Sequence, residues 1–225
     1  MRNSLYLHEE FLLLALKEDA GTVATSESIE YPLATAVISE LMLQKRIEID
    51  EASGKKQLVD MVDSSRLYDP VLDEALEKLK NARRRASLES WIERLANLKG
   101  LKQKTALQLC RRGILRADED KILLIFKRKI YPEIDPEPER QIVERLRTVI
   151  FSDIEEIPPR DAIIIALAHQ THLLRRKFDK KDLKAREERI KKISEGSLTA
   201  QAAKEVVDAM NTVIFVAVII PIIFD

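Results

Sequence analysis

Apolar residues recur every three to four positions along most of the 225-residue chain, which is the period of an amphipathic helix. The pattern predicts helices over residues 4–18, 32–44, 70–85, 88–98, 105–110, 136–151, 159–178 and 180–193, and a last helix from Thr199 into the apolar C-terminus. Several of these helices begin at side chains that readily accept hydrogen bonds from free backbone amides: Ser4, Asp69, Ser87 and Asp179.

The C-terminus, VIFVAVIIPIIFD, is the most apolar stretch of the chain. It is shorter than the roughly 20 residues that span a bilayer, and Pro221 interrupts it. We expect a buried terminal helix, and the alternative is an anchor that lies in the membrane surface.

Two regions follow the period of a strand instead. RIEID alternates apolar and charged residues, Ser53 and Gly54 turn the chain, and KQLVDMV returns as a second strand. A second unit reads RRGILRA, an acidic turn over residues 118–120, and the strand KILLIFK. The sequence therefore predicts a mostly α protein with two small β-hairpins, and no strand–helix alternation supports a parallel sheet.

The second hairpin contains five consecutive large apolar residues: Ile122, Leu123, Leu124, Ile125 and Phe126. Because successive side chains of a strand face opposite sides, we expect Ile122, Leu124 and Phe126 on the core and the other two exposed. An exposed apolar hairpin can enter a bilayer or be covered by a second copy in a homo-oligomer. Basic residues on both sides suit an anionic leaflet: Arg111, Arg112, Arg116, Lys127 and Arg128. The alternative is a buried strand with a solvated charged rim, and the pattern leaves both open.

Composition narrows the class of protein. Charged residues make up 34% and apolar residues 45% of the chain, and the formal net charge is zero, so no global field draws it to nucleic acid or membrane. Attraction of that kind must come from a local patch. The single cysteine, Cys110, excludes an internal disulfide and suits the reducing environment of the cytoplasm.

Enzyme signatures are absent from the sequence, which contains no Gly-rich phosphate loop, G-x-S-x-G, H-E-x-x-H or C-x-x-C. His169 and His172 lie three apart on a predicted helix, but nearby carboxylates do not complete a metal site at helical spacing. Cys110 falls on an apolar helix face and is expected to be a core residue. We expect no catalysis, no cofactor and no metal.

A helix, a basic pair and a hairpin in succession are typical of a winged-helix module. The helix before the first hairpin, however, carries no basic residue until its end, and the acidic turn opposes contact with phosphates. We expect no nucleic-acid partner, and a winged-helix-like nucleic-acid or protein-interaction module is the alternative to a membrane module.

Seven stretches, in order, resemble the Golgi phosphoprotein 3 family of peripheral membrane proteins: LYLHEEFLLLALKEDAGTV, LATAVISELMLQKRIEI, VLDEALEKLK, SLESWIERL, LCRRGIL, AIIIALAHQTHLL and VIFVAVII. They cover nearly the whole chain. From this resemblance the chain is identified as a prokaryotic member of the family. The resemblance implies a single helical domain over residues 1–225, built around a central helix bundle, with an exposed apolar hairpin.

The resemblance also implies a non-catalytic function. Family members bind phosphatidylinositol 4-phosphate in a basic pocket beside the hairpin, and Golgi members retain glycosyltransferases by their cytosolic tails. The basic pair of that pocket falls on Lys99 and Lys102, whereas its tryptophan falls near Thr25 and its arginine on Ala34, which implies less selective attraction to anionic lipid. The implied partners are an anionic membrane lipid and the cytosolic tail of a membrane enzyme. The implied location is the cytoplasm, at the cytosolic face of a membrane, which is the Golgi in a eukaryote.

Overall fold

The computed structural model describes residues 4–16, 29–122 and 126–198 of the chain, without the side chains of residues 51, 55, 119–122 and 126–129. Thr25, Leu123, Leu124, Ile125 and the helix predicted from Thr199 lie outside these residues. The described part contains ten α-helices: α1 (Leu7–Ala15), α2 (Glu30–Leu43), α3 (Pro70–Lys80), α4 (Leu88–Ala96), α5 (Leu101–Arg111), α6 (Glu137–Phe151), α7 (Pro159–Gln170), α8 (Leu174–Lys177), α9 (Lys180–Ala185) and α10 (Glu187–Ser194). It also contains four strands: β1 (Ile47–Ile49), β2 (Val59–Met61), β3 (Asp118–Ile122) and β4 (Phe126–Ile130).

Two helices form the centre of the fold. Every residue of α1 is buried, and α2 is buried from Pro32 to Leu41. The buried residues include three charged ones, Glu9, Glu10 and Glu40. α1 packs against α2, α5, α6 and α7, and α2 also packs against α3, α4, α5 and α7. The prediction of a mostly α protein around a central bundle is confirmed.

The helix starts follow local hydrogen bonding. Three predicted caps are confirmed, since their side chains accept hydrogen bonds from first-turn amides: Asp69, Ser87 and Asp179. The prediction for Ser4 is wrong, because α1 begins at Leu7. The Glu9 carboxylate accepts the Tyr6 amide at 2.8 Å, so the helix is capped at Tyr6, two residues later than predicted.

Two helices predicted as continuous are broken. α7 ends at Gln170, and His172 then adopts a left-handed conformation (φ 58°) before α8. α9 and α10 separate at Arg186, whose guanidinium donates to Asp153 and to the Phe151 carbonyl, both at 2.9 Å. The apolar period runs through both breaks, so the sequence pattern shows neither.

The first hairpin matches its prediction, with Ile47 opposite Met61 and Ile49 opposite Val59. The second hairpin differs. β3 and β4 are antiparallel and Ile122 pairs with Phe126, so the chain reverses between these residues and the apolar run does not form a single strand. The acidic residues lie in β3, not in the turn.

The backbone register pairs Glu119 with Lys129, Asp120 with Arg128 and Lys121 with Lys127. Ile122 and Phe126 thus lie in two different strands. The predicted inward or outward orientation of the side chains at 122–126 lies outside the described part of the structure and stays a prediction.

None of the described helices is both long and apolar enough to cross a bilayer.

Candidate functional site

The two lysines of the predicted headgroup site lie at the start of α5. Gly100 precedes this helix in a left-handed conformation (φ 78°), which favours glycine. Lys99 is exposed and Lys102 is half-buried, and the first turn of α5 carries no acidic residue. Among the described residues, neither lysine side chain makes an ion pair or a hydrogen bond. Both ammonium groups are therefore available to an anion.

α5 connects these lysines to the second hairpin. Its 11 residues span about 16 Å at 1.5 Å per residue. The helix ends before Gly113 (φ 74°), and the chain enters the hairpin through Leu115, which bridges to Glu133. Leu115 and Tyr131 are buried and hold the base of the hairpin on the core. The lysines and the hairpin thus lie at opposite ends of one helix.

The three arginines predicted beside the hairpin have different environments. Arg111 is exposed and donates to Gln108, and Arg116 is exposed and lies 3.4 Å from Asp118. Arg112 points inward, where it donates to the Glu9 carboxylate at 3.0 Å and to the Ser4 carbonyl at 3.1 Å. Its guanidinium therefore holds the end of α5 to α1 and is not part of an open headgroup surface.

Lys127 and Arg128 lie in β4. Their side chains are outside the described part of the structure, and their role beside the hairpin stays a prediction.

Several arginines pair with buried carboxylates that the sequence pattern did not reveal. Arg145 and Arg160 link Glu10, Glu40 and Asp161 in one buried charge cluster, which joins α1, α2, α6 and α7. Arg112, the residue that follows α5, pairs separately with Glu9 of α1. This pair fixes the end of α5, and with it the base of the hairpin, relative to α1.

Glu40 is the most connected carboxylate of this cluster. It accepts the Leu7 amide at 2.8 Å and the Arg160 guanidinium at 2.9 and 3.1 Å. Arg160 also donates to the Leu5 carbonyl at 3.2 Å. The start of α1 is thus held by side chains from α2 and α7.

Burial raises the pKa of Glu9, Glu10 and Asp161 above their ordinary values, by more than the neighbouring positive charges lower them. For Glu10 the opposing charges are Arg145, at 2.7 Å, and Arg160. The folded protein therefore binds the Glu10 proton more tightly than the unfolded chain does. Its contribution to stability is complete below the ordinary carboxyl pKa of about 4.3 and is lost as the pH rises through the folded pKa.

The variant Glu10→Gln tests whether the contribution of Glu10 to stability falls as the pH rises. Glutamine resembles the protonated carboxyl, so the stability of the wild type relative to the variant should fall as the pH rises above about 4.3 and then level off. Glu137→Gln is the control with the opposite sign, because the hydrogen bond from Arg140 lowers the pKa of Glu137. There the relative stability of the wild type should rise with pH. Urea unfolding followed by circular dichroism across this pH range measures both, and a constant or rising difference for Glu10→Gln contradicts the account.

Three large apolar side chains are exposed on α5 or on segments that hydrogen-bond to α5 or to the residues just after it. Leu107, on α5, is 42% exposed, and Ile134, which is 54% exposed, hydrogen-bonds through its amide to the Ile114 carbonyl just after α5. Tyr68 is 88% exposed, and the adjacent Asp69 accepts a hydrogen bond from Gln108 of α5. Tyr68 has a φ of 60°, which is uncommon for an aromatic residue. Sequence reasoning missed these three residues, since single apolar residues in polar segments give no signal.

Ala34, where the resemblance places the arginine of the headgroup pocket, is fully buried in α2. It therefore contributes nothing to a basic surface, and the predicted site at the start of α5 is left with Lys99 and Lys102.

The candidate metal and thiol groups show no catalytic arrangement in the described residues. No cluster of three or more His, Cys, Asp or Glu side chains capable of holding a metal occurs there. Cys110 is half-buried against the core, and burial raises the pKa of its thiol, which disfavours the reactive thiolate.

Comparison with known proteins gives a family match and several similar relatives. A profile of the Golgi phosphoprotein 3 (GPP34) family matches residues 7–210. The chain is also 28% identical over 165 residues to the vacuolar protein sorting-associated protein 74 of Eremothecium gossypii. That match covers 65% of this chain and 49% of the relative, so the matched region spans about half the length of that protein.

Proposed function

The chain belongs to the Golgi phosphoprotein 3 family, and from this membership and the arrangement around α5 we propose that it is a peripheral membrane protein. In this proposal it binds anionic lipid headgroups and acts as an adaptor for a protein partner. The observation that carries it is the placement of two unpaired lysines and an apolar hairpin at the two ends of one helix. No step of the proposed function is catalytic.

With α5 parallel to the membrane, both ends can contact one leaflet. Each lysine near an anionic surface contributes about 1 kcal/mol. Insertion of the apolar residues at 122–126 adds roughly 25 cal/mol per Å² of buried surface. Tyr68 and Leu107 extend the apolar area beside α5, and tyrosine is favoured at membrane interfaces because one end of its ring is polar.

The proposed lipid selectivity is low. Ala34 is buried, and lysine binds phosphate as a point charge without the planar fork of arginine. We therefore expect the protein to respond to the negative charge of a membrane more than to the identity of a phosphoinositide.

The adaptor role is proposed from the family and from the name of the relative, which associates that protein with vacuolar sorting. The proposed partner is the cytosolic tail of a membrane enzyme, and the proposed location is the cytosolic face of a membrane. Nucleic-acid binding is less favoured, because α2, the helix before the first hairpin, is buried from Pro32 to Leu41 and offers no free face to a groove.

The double variant Lys99→Glu/Lys102→Glu tests the headgroup site. Reversing both charges should lower the affinity for anionic vesicles by at least about tenfold, since each lysine contributes about 1 kcal/mol and each glutamate is repelled. The melting temperature should change little, because exposed charges contribute little to stability. Co-sedimentation with vesicles of phosphatidylcholine and phosphatidylserine measures the affinity.

The matched control is Lys191→Glu/Lys192→Glu, which makes the same change of charge at two exposed lysines of α10. Its affinity for the vesicles should stay within about twofold of the wild type, since α10 packs on α7 and salt screens exposed charges from one another beyond about 10 Å. Equal losses in both variants would show that net charge matters and that Lys99 and Lys102 form no site.

A further inference from the structure

We propose that a pocket between α8 and the α9–α10 pair binds a phosphomonoester, either a free molecule or the headgroup of a lipid. The pocket does not contain Lys99, Lys102 or any residue of the second hairpin. The inference therefore does not depend on the proposed function.

The pocket has an apolar floor and a basic rim. Its volume is about 230 Å³, and its floor is formed by the buried side chains of Leu174, Leu183 and Ile190. Three cations line it: Arg175, Lys180 and Lys184. Pockets for drug-sized ligands usually measure roughly 300–1,000 Å³, so this one suits a smaller molecule.

The charges of the pocket favour a dianion. Among the described residues, the side chains of Arg175, Lys180 and Lys184 make no ion pair or hydrogen bond. Glu187 also lines the pocket, so these four side chains carry a net charge of +2. A phosphomonoester carries about −1.5 to −2 near neutral pH and offers three acceptor oxygens. Arginine can bind two of those oxygens at once.

Two histidines complete the rim. The left-handed turn at His172 (φ 58°), between α7 and α8, brings it to the same pocket as His169. Partial desolvation and the charges of His172 and Arg175 lower the pKa of His169, against the opposing effect of Glu187. The lowered pKa favours the neutral imidazole of His169, whose N–H can donate to a phosphate oxygen without adding a charge.

The histidines provide a direct readout. The chain has three, and the third, His8, is fully buried in α1 beside Asp69. In two-dimensional NMR spectra of the imidazole protons, inorganic phosphate or phenyl phosphate, added at constant ionic strength, should shift the signals of His169 and His172 and saturate. The His8 signals should not move.

Arg175→Gln/Lys184→Gln should weaken this binding at least about tenfold, since the variant loses two charge-assisted hydrogen bonds to the phosphate. Arg176→Gln/Lys181→Gln is the matched control. It removes the same charges from exposed neighbours that do not line the pocket, and it should bind like the wild type. Equal weakening in both variants would overturn the proposal.

A parallel binding experiment with lipid vesicles shows whether the phosphate belongs to a lipid or to a soluble molecule. If phosphatidylcholine vesicles containing phosphatidic acid bind the protein through Arg175 and Lys184, and free phosphate shifts neither histidine, the ligand is a lipid headgroup. A saturable response to free phosphate identifies a soluble ligand. The absence of both responses would overturn the proposal, and it would leave the test of Lys99 and Lys102 unaffected.

Discussion

Glu40→Gln is expected to lower the free energy of unfolding by about 3 kcal/mol, because it leaves the Arg160 guanidinium without its closest carboxylate. Removing one partner of a buried ion pair typically costs about 3–5 kcal/mol, and glutamine retains part of the hydrogen bonding. Glu40 is fully buried and also accepts the Leu7 amide, so the variant loosens the start of α1 as well. For a chain of this length the melting temperature should fall by roughly 10 °C.

The control for this variant is Glu144→Gln. Glu144 lies 3.6 Å from Arg147 on α6, and both side chains are at least half exposed. Because exposed ion pairs contribute little, thermal unfolding of this variant should match the wild type. A Glu40→Gln variant as stable as Glu144→Gln would contradict the view that the buried charge cluster holds α1 in place.

The largest effect on membrane binding is expected from Leu123→Asp/Ile125→Asp. If these residues enter the bilayer, each contributes roughly 1.5–3 kcal/mol through burial of its side chain. Losing both should weaken binding to anionic vesicles by at least about 100-fold, at 1.4 kcal/mol for each factor of ten. The melting temperature should stay close to that of the wild type, as measured by circular dichroism.

Charge alone could cause part of this loss, since two new aspartates are repelled by an anionic surface. Val62→Asp/Ile154→Asp adds the same charges at two exposed aliphatic residues away from the second hairpin and should retain most of the binding. If Leu123→Asp/Ile125→Asp unfolds the protein, the apolar run belongs to the core. If the variant stays folded but no longer forms a dimer that the wild type forms, the apolar run is an interface between two copies of the chain.

Local rules predicted most of the fold. The helical period and the caps at Asp69, Ser87 and Asp179 located the helices, because both signals arise within one or two turns of chain. The breaks at His172 and Arg186 were missed because they depend on contacts with distant segments, such as that of Arg186 with Asp153. The second hairpin was misplaced because acidic residues favour turns, whereas the backbone pairing of β3 with β4 is set by the hairpin as a whole.

The candidate site was predictable in part. Lys99 and Lys102 could be singled out because the residues around them resemble a family with a basic pair at that point. The inward position of Arg112 could not be predicted, since its partner Glu9 is 103 residues away in the chain. The pocket beside His169 and Arg175 could not be predicted either, because it forms only where a helix predicted as continuous is broken.

The central claim is that the protein binds membranes through negative charge and an apolar insertion. The most direct test is co-sedimentation of the wild-type protein with phosphatidylcholine vesicles, with and without phosphatidylserine, at low and high salt. We predict strong binding to the anionic vesicles, weakened but not abolished by salt, because screening removes the electrostatic part and leaves the apolar part. A protein that stays in the supernatant with both kinds of vesicle at low salt would contradict the claim.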